Sequence, residues 1–205
     1  MDDTQRAVFN DRQRQAFDKS YTYFLVPLPQ DVIDRMGRII AAATLRAGET
    51  VLDVGTGTGA LIPQIRTYRP GRIVACDLSA NMLEQVAERY PEVERHQCDI
   101  ADLSLPAACV DVVFMNGMYG NIADKSKALG NIVRMLRPGG RVVISHPEGR
   151  AYVERLVKTD PYPITPLPSH PQARTFLGSF GLTVRHYTDE EKLLIVVAVK
   201  ADTQE

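Results

Sequence analysis

Three glycines at alternate positions, Gly55, Gly57 and Gly59, follow the apolar residues 51–54. An apolar run of this kind is typical of a buried parallel strand, and the apolar spacing after the glycines is that of a helix. A strand, a glycine-rich turn and a helix in this order place a nucleotide or nucleoside at the helix N-terminus. Glycines also remove side chains where backbone and ligand approach closely. The loop therefore predicts a nucleoside-binding site.

Three acids at predicted strand ends indicate which nucleoside. Asp77 ends the second strand, where a carboxylate can accept hydrogen bonds from both ribose hydroxyls. Residues 55–60 also satisfy the dinucleotide fingerprint, so these two features leave nicotinamide cofactors open. Asp53 favours S-adenosylmethionine over a nicotinamide dinucleotide. An acid beside the loop would repel the pyrophosphate of the dinucleotide and attract the ammonium and sulfonium of S-adenosylmethionine. Asp99 ends the third strand, where it can accept from an adenine amino group.

The elements that position these residues alternate between strand and helix. Over residues 49–145 this alternation predicts a parallel sheet with helices on both faces. The strands are expected at 49–54, 72–76, 93–97, 110–115 and 141–145, and the helices between them at 60–68, 79–89 and 125–136.

The two ends of the chain do not follow this alternation of strand and helix. Helices are expected at 4–20, 31–45, 149–158 and 172–180, and further strands at 182–187 and 192–200. The last two strands are joined by so short a link that they must form an antiparallel hairpin. The predicted fold is α/β: a doubly wound, Rossmann-like, mostly parallel seven-stranded sheet with a C-terminal antiparallel hairpin. Residues 1–205 are expected to form a single domain.

Composition narrows the function classes. A net charge of -1 gives no general attraction to nucleic acid or a membrane surface, and no apolar run approaches the roughly 20 residues of a membrane span. Three cysteines without CxxC spacing predict neither a disulfide framework nor a zinc site. The other histidines, His96, His170 and His186, show no metal-ligand spacing. These features, with a polar N-terminus unlike a signal peptide, favour a cytoplasmic protein without a metal.

Further segments extend the pattern and carry a family resemblance. They are residues 51–61, 75–79 with Met82 and Leu83, 98–100, 111–117, 135–143 and 176–182. Together they resemble the class I S-adenosylmethionine-dependent methyltransferases over about residues 31–200. The resemblance is close to the small-molecule branch that includes the quinone-biosynthesis C-methyltransferases. It implies methyl transfer from S-adenosyl-L-methionine, which leaves S-adenosyl-L-homocysteine, to a small-molecule acceptor.

The same resemblance implies a role for each matching position. The backbone of the glycine loop lines the methionine part of the cofactor, with an acid near its amine; other positions hold the ribose, flank the adenine and close the site. The implied residues are Asp53, Gly55, Thr56, Gly57, Asp77, Leu78, Met82, Asp99, Ile100 and Asn116. Tyr21 or Tyr23 in segment 1–30 would cover the cofactor. Read from the residues alone, Asp77 and Asp99 remain open as helix-cap or turn residues, and Met82 as a core residue.

The acceptor should lie beyond the carboxyl ends of the fourth and fifth strands. His146 follows the fifth strand, and an imidazole of near-neutral pKa suits a general base; the alternative is that His146 only shapes the strand exit. Tyr119 and Asn121 follow the fourth strand and are candidates for the acceptor pocket. The proline-rich segment 159–171 is a candidate lid over an apolar acceptor, or a plain connector.

Other functions stay open at this point. A nicotinamide-dependent oxidoreductase is disfavoured by Asp53 and by the lack of a Tyr-x-x-x-Lys pair, since Tyr119 has Ala123 at that spacing. A non-catalytic S-adenosylmethionine-binding or partner-dependent subunit would keep the same cofactor residues. Nucleic acid is a disfavoured partner, because residues 116–119 (Asn-Gly-Met-Tyr) do not resemble the Asn/Asp-Pro-Pro-Tyr motif of base-methylating enzymes and the chain carries no basic tail. The oligomeric state is not predicted.

Overall fold

A seven-stranded sheet organises the chain, and the computed structural model describes residues 1–159 and 164–202. The strand order is β3-β2-β1-β4-β5-β7-β6. Strands β1 to β5 pair in parallel, and β7 lies antiparallel between β5 and β6. The strands are β1 Thr50–Val54, β2 Arg72–Asp77, β3 Glu94–Gln97, β4 Val110–Asn116, β5 Leu136–His146, β6 Leu182–Glu190 and β7 Leu193–Lys200. The predicted fold class is confirmed, including the C-terminal hairpin.

Seven α-helices accompany the sheet in the described residues. They are α1 Asp3–Ser20, α2 Gln30–Ala42, α3 Ile62–Thr67, α4 Ala80–Arg89, α5 Lys125–Met135, α6 Gly149–Thr159 and α7 His170–Gly178. Alternate residues of β1 supply two different apolar clusters: Val51 packs with α2, α3 and α4, and Leu52 packs with α5, α6 and α7. Both faces of the sheet are therefore covered, which is why its central strands are largely apolar.

Local signals explain most of the helix boundaries. Ser79 caps α4 by accepting from the Met82 N–H, and Asp124 caps α5 by accepting from the Lys127 N–H. Helix α3 begins at Ile62, two residues later than expected, because the glycine loop continues as turns through residue 61. Strand β5 begins at Leu136 rather than residue 141, because Leu136 already pairs with Val110 before a register shift. Among the described residues, no helix is both long and apolar enough to cross a membrane.

Candidate active site

The glycine loop leaves β1 at the carboxyl edge of the sheet and curls back toward β2. The Gly55 N–H donates to the Cys76 carbonyl at 2.7 Å, which joins the loop to the neighbouring strand. Gly55 and Gly57 have φ angles of +62° and +55°, a region that side chains disfavour. A Cβ on Gly57 would meet only the Met82 sulfur, at 4.0 Å, so the backbone there borders open space. The loop presents bare backbone to a ligand, as its sequence predicts.

Asp53 lies beneath this loop and is buried. Its carboxylate accepts from the Thr56 hydroxyl at 2.7 Å. Burial raises the pKa of Asp53 to about 7, and the Thr56 hydrogen bond opposes that rise. A cation placed beside Asp53 would favour the ionised carboxylate, so the pocket floor is suited to an ammonium group.

Asp77 connects the glycine loop to the start of α4. One carboxylate oxygen accepts from the Gly57 N–H and the other from the Ser79 N–H, each at 2.9 Å. Burial raises the pKa of Asp77, and these two N–H donors oppose the rise. Ser79 is the residue that caps α4, so Asp77 does not have that task. The Leu78 N–H also contributes a hydrogen bond, and the carboxylate has about four acceptor sites, so it can still accept from another donor.

Asp99 anchors the N-terminal helix. One of its oxygens accepts from Arg6 Nη1 at 2.8 Å and from Asn10 Nδ2 at 2.6 Å. The other accepts from the Ala101 N–H at 2.9 Å and so caps the short 3₁₀ turn Ile100–Asp102. The cap interpretation of Asp99 is therefore realised in the structure, together with a salt bridge to α1. Its implied contact with adenine stays a prediction.

Helix α1 and the turn after it lie across the carboxyl ends of the strands. Asp18 accepts from the Ser79 hydroxyl at 2.6 Å. The buried Gln13 accepts from Asn121 Nδ2 at 3.0 Å. The Phe24 carbonyl accepts from the Thr58 hydroxyl at 3.0 Å. These contacts join segment 1–30 to the loops that follow β1, β2 and β4, and its role as a cover over the cofactor stays a prediction.

The covering contacts differ from those expected. Tyr23 is 79% exposed and Tyr21 is partly buried; the contact with the glycine loop is a backbone carbonyl. The residues that attach α1 (Arg6, Asn10, Gln13 and Asp18) were missed by sequence reasoning. The largely polar sequence of α1 was a usable signal that this helix is attached by polar side chains and not by an apolar face. In the structure its buried residue is Gln13.

The other residues that the resemblance assigns to the cofactor lie at or just after the ends of strands, and their contacts with it stay predictions. Asn116 ends β4 and its Oδ1 accepts from the Ser145 hydroxyl at 2.9 Å. Met118, which sequence reasoning did not single out, lies against Gly55: a Cβ there would be 2.7 Å from the Met118 Cγ. Met82, Ile100 and Thr56 are buried, and Leu78 is half-buried, at the carboxyl ends of β1, β2 and β3.

The acceptor side lies beyond β4 and β5. Tyr119 is buried, and burial raises its pKa to about 12. The Lys125 ammonium lies 5.1 Å from the centre of the Tyr119 ring and donates to the Ile122 carbonyl at 3.0 Å. Burial lowers the pKa of Lys125 to about 8. A phenol and an ammonium thus share an apolar cavity lined also by Phe176 and Leu129.

His146 lies at the end of β5 and is 8% exposed. Its Nδ1 is 3.1 Å from the Glu148 N–H, and its ring is 5.3 Å from that of Tyr152. Burial lowers the pKa of His146 to about 4, so the imidazole is neutral at pH 7. With Nδ1 accepting from the backbone, the proton of the neutral ring resides on Nε2. A base role for His146 would require Nδ1 to leave the Glu148 N–H.

The proline-rich segment is attached at both ends of its described part. The Thr165 N–H donates to the Gly120 carbonyl at 3.0 Å, beside Tyr119. Arg150 of α6 donates to the Leu167 carbonyl at 2.6 Å and to the Pro168 carbonyl at 3.0 Å. Residues 160–163, including Tyr162 of the predicted lid, lie outside the described residues. Within the described part of the chain, no group of three or more His, Cys, Asp or Glu side chains is arranged to hold a metal.

A family model described as a methyltransferase domain matches residues 52–144, the part of the chain that holds the glycine loop and the three acids. Over these residues the chain is similar to methyltransferase domains. A demethylmenaquinone methyltransferase of Paenarthrobacter aurescens (strain TC1) is 29% identical over 164 residues, which cover 76% of this chain and 62% of the relative. A trans-aconitate 2-methyltransferase of Azoarcus sp. (strain BH72) is 35% identical over 131 residues, covering 61% and 50%. The chain therefore spans about half to three-fifths of the length of these curated relatives.

Solved structures show the same fold. The 1,6-didemethyltoxoflavin-N1-methyltransferase of Burkholderia thailandensis, with 1,6-didemethyltoxoflavin and S-adenosylhomocysteine bound, has a TM-score of 0.72 at 19% identity, covering 96% of this chain and 91% of that one. A methyltransferase from Aquifex aeolicus has a TM-score of 0.71 at 20% identity, covering 89% and 97%. Neither these structures nor the relatives favour the nicotinamide-dependent alternative.

The residues present fit S-adenosylmethionine, the cofactor of this family. The Asp77 carboxylate can accept a further hydrogen bond from a ribose hydroxyl, and the loop at Gly57 borders open space. Asp53 provides a buried carboxylate for a cation and would oppose a pyrophosphate. These two carboxylates and the open loop match a nucleoside that carries a positively charged amino-acid tail.

Proposed function

We propose that this methyltransferase-family protein transfers a methyl group from S-adenosylmethionine to a small, partly apolar acceptor. When bound, S-adenosylmethionine supplies an electrophilic methyl group that is displaced in line and leaves S-adenosylhomocysteine. The observation that carries the proposal is the paired hydrogen bonding of Asp77, which places this carboxylate between the glycine loop and the start of α4. The small-molecule methyltransferases among its relatives support the choice of acceptor class.

In this proposal the chain's own residues bind, orient and exclude water. Asp77 holds the ribose, Asp53 faces the amine, and Asp99 with Ile100 borders the adenine. Segment 1–30 closes the cofactor side through its contacts with Thr58 and Ser79. Positioning and exclusion of water supply much of the rate of an in-line methyl transfer.

Tyr119 and His146 are proposed on the acceptor side. Tyr119 follows β4 and His146 ends β5, and the Gly117 N–H after β4 donates to the Ser145 carbonyl of β5 at 2.8 Å. The described part of segment 159–171 is attached to Gly120, next to Tyr119, which supports its role as an acceptor lid. Replacement of His146 by alanine tests the base role, because unchanged turnover with an identified acceptor would remove it.

The first experiment is calorimetric titration of the whole chain with S-adenosylmethionine, S-adenosylhomocysteine and NAD. The first two ligands should bind and NAD should not. Asp77→Asn keeps the size of the side chain but loses its charge, and should weaken binding by about tenfold or more because a charged hydrogen bond is lost. Asp34→Asn, an exposed change on α2, is the matched control and should bind like the unaltered protein. Binding of NAD alone would refute the proposal.

Transfer itself is tested by uptake of the labelled methyl group into a panel of small carboxylic acids, phenols and quinols. Cofactor binding without uptake by any acceptor, alone or with cell extract, would favour a non-catalytic or partner-dependent subunit instead.

A cytoplasmic location is also proposed, on the ground that Cys76, Cys98 and Cys109 are free thiols.

A further inference from the structure

Two cysteines lie beside the predicted cofactor carboxylates. Cys76 precedes Asp77 at the end of β2, and Cys98 precedes Asp99 just after β3. Their sulfur atoms are 3.7 Å apart, and the Cys76 sulfur is 3.3 Å from the Cys98 carbonyl oxygen. The ladder of β2 and β3 continues to this point, because the Cys98 N–H donates to the Asp77 carbonyl at 3.1 Å. Backbone pairing therefore holds the two thiols together.

We propose that Cys76 and Cys98 form an oxidative modification site, at which a peroxide converts the two thiols into a disulfide and thereby weakens cofactor binding. The effect on the cofactor rests on the proposed function, whereas the thiol chemistry does not. The sequence alone favours buried, inert cysteines, since no CxxC spacing is present. The pair exists only because β2 and β3 are neighbours in the sheet.

The reaction consumes one peroxide and releases two water molecules. The Cys98 sulfur attacks one peroxide oxygen: a sulfur–oxygen bond forms, the oxygen–oxygen bond breaks, and the leaving hydroxide takes a proton to become water. The Cys76 sulfur then attacks the resulting sulfenic acid of Cys98. The disulfide bond forms, the sulfur–oxygen bond breaks, and the second water leaves with the Cys76 proton. The two thiols are oxidised by two electrons, and the peroxide is reduced by two.

The exposure and the pKa of the two thiols indicate that Cys98 reacts with peroxide first and Cys76 second. Cys98 is half-buried and Cys76 is buried, so peroxide reaches Cys98 first. The contact between the two sulfurs lowers the pKa of Cys98. The same contact, together with burial, raises the pKa of Cys76. The more exposed and more acidic thiol is the better nucleophile toward peroxide.

Closure of the disulfide has to move the flanking carboxylates. A disulfide bond is about 2.0 Å long, so the sulfurs must approach each other considerably from 3.7 Å. Strand β3 is a four-residue edge strand, whereas β2 is paired on both sides, so β3 is the strand that yields. Its movement changes the spacing between Asp77 and Asp99, the two acids proposed to hold ribose and adenine. We expect the oxidised protein to bind S-adenosylhomocysteine about tenfold more weakly.

The test treats the reduced, whole protein with hydrogen peroxide and follows thiol content and ligand binding separately. N-ethylmaleimide labelling under denaturing conditions should fall from three cysteines to one, with Cys109 still labelled and peptide mapping placing Cys76 and Cys98 in one linked species. Titration with S-adenosylhomocysteine before oxidation, after oxidation and after dithiothreitol should show loss and recovery of affinity. Cys109→Ser is the matched control and should show the same loss and recovery. In Cys98→Ser, peroxide should leave the variant's own affinity unchanged.

The outcomes separate the two proposals. If the reduced protein does not bind S-adenosylhomocysteine, the proposed function fails, and thiol mapping still decides whether the disulfide forms. Oxidation of Cys98 to sulfinic acid without a link to Cys76 would overturn the modification site. A complete disulfide with unchanged affinity would overturn its effect on the cofactor. The decisive readouts use the unaltered chain, so they do not depend on whether a cysteine variant folds.

Discussion

The cofactor side and the acceptor side of this molecule are built differently. On the cofactor side, Asp53 in β1 and Asp77 at the end of β2 bond to residues within three positions or to the glycine loop after β1. On the acceptor side, long side chains such as Arg150 and Lys125 donate to carbonyls of distant or irregular segments. The first arrangement is specified by strand ends and is rigid; the second depends on how helices and loops pack. Changes on the two sides should therefore separate cofactor affinity from acceptor turnover.

The largest effect is expected for Gly55→Ala on the cofactor side. An alanine at this position would have to adopt a φ of +62°, and its Cβ would lie 2.7 Å from the Met118 Cγ. We expect cofactor affinity to fall by about a hundredfold and stability by about 1–3 kcal/mol. Calorimetry and chemical denaturation measure both. Gly37→Ala in α2 is the control, because nothing lies within 4 Å of its Cβ; a similar loss there would contradict the explanation.

Acid should destabilise the fold through His146 on the acceptor side. Its pKa of about 4 in the folded protein lies below the ordinary value of 6.5, so the unfolded chain binds more protons between these values. The stabilising contribution is complete above about pH 6.5 and is lost as the pH falls toward 4. The loss should reach roughly 2–3 kcal/mol near pH 4.5. Chemical denaturation between pH 6.5 and pH 4.5 measures the free energy of unfolding. In His146→Gln this free energy should fall less with acid than in the unaltered protein. His186→Gln, an exposed change on β6, is the control and should show the full decrease.

Arg150→Ala should affect the acceptor side alone. The guanidinium joins the Leu167 and Pro168 carbonyls to Asp189 and the Tyr187 hydroxyl. Without it, we expect the KM for an identified acceptor to rise about tenfold, as charged hydrogen bonds that hold the lid are lost. Cofactor affinity should not change. Lys158→Ala, exposed on the same helix, is the control. A parallel loss of cofactor affinity would show that the two sides are not separable.

The smallest effect is a proton linkage at Asp53. Its pKa of about 7 leaves it largely protonated at pH 6, and the ligand ammonium would favour the ionised form. Binding of S-adenosylhomocysteine at pH 6 should therefore release up to one proton, and affinity should rise by less than tenfold between pH 6 and pH 7. Calorimetry in buffers of different ionisation enthalpy measures this release. Asp53→Asn should abolish it; release that persists in this variant would assign the proton to another group.

Periodic, local patterns were enough to predict much of this protein. Apolar runs predicted the strands, the glycine spacing predicted the turn after β1, and a link too short for a crossover predicted the β6–β7 hairpin. Asp53 and Asp77 were found because they occupy strand ends, and parallel strands bring those ends to one edge. The boundaries of α3 and β5 were less accurate, because turn continuation and an early pair with β4 depend on the neighbouring strand.

Only the tertiary structure decided what covers and surrounds the site. Arg6 meets Asp99 across 93 positions of the chain, Asn121 meets Gln13 across 108, and the Cys76 and Cys98 sulfurs meet across a strand pair. Such pairs have no periodic signal, because their meeting depends on the packing of α1 and on the strand order. The sequence by itself determined the fold, the cofactor class and the positions of its main acids, since these follow from local spacing. The attachment of α1, the attachment of residues 165–168 and the paired thiols required the fold to bring distant residues together.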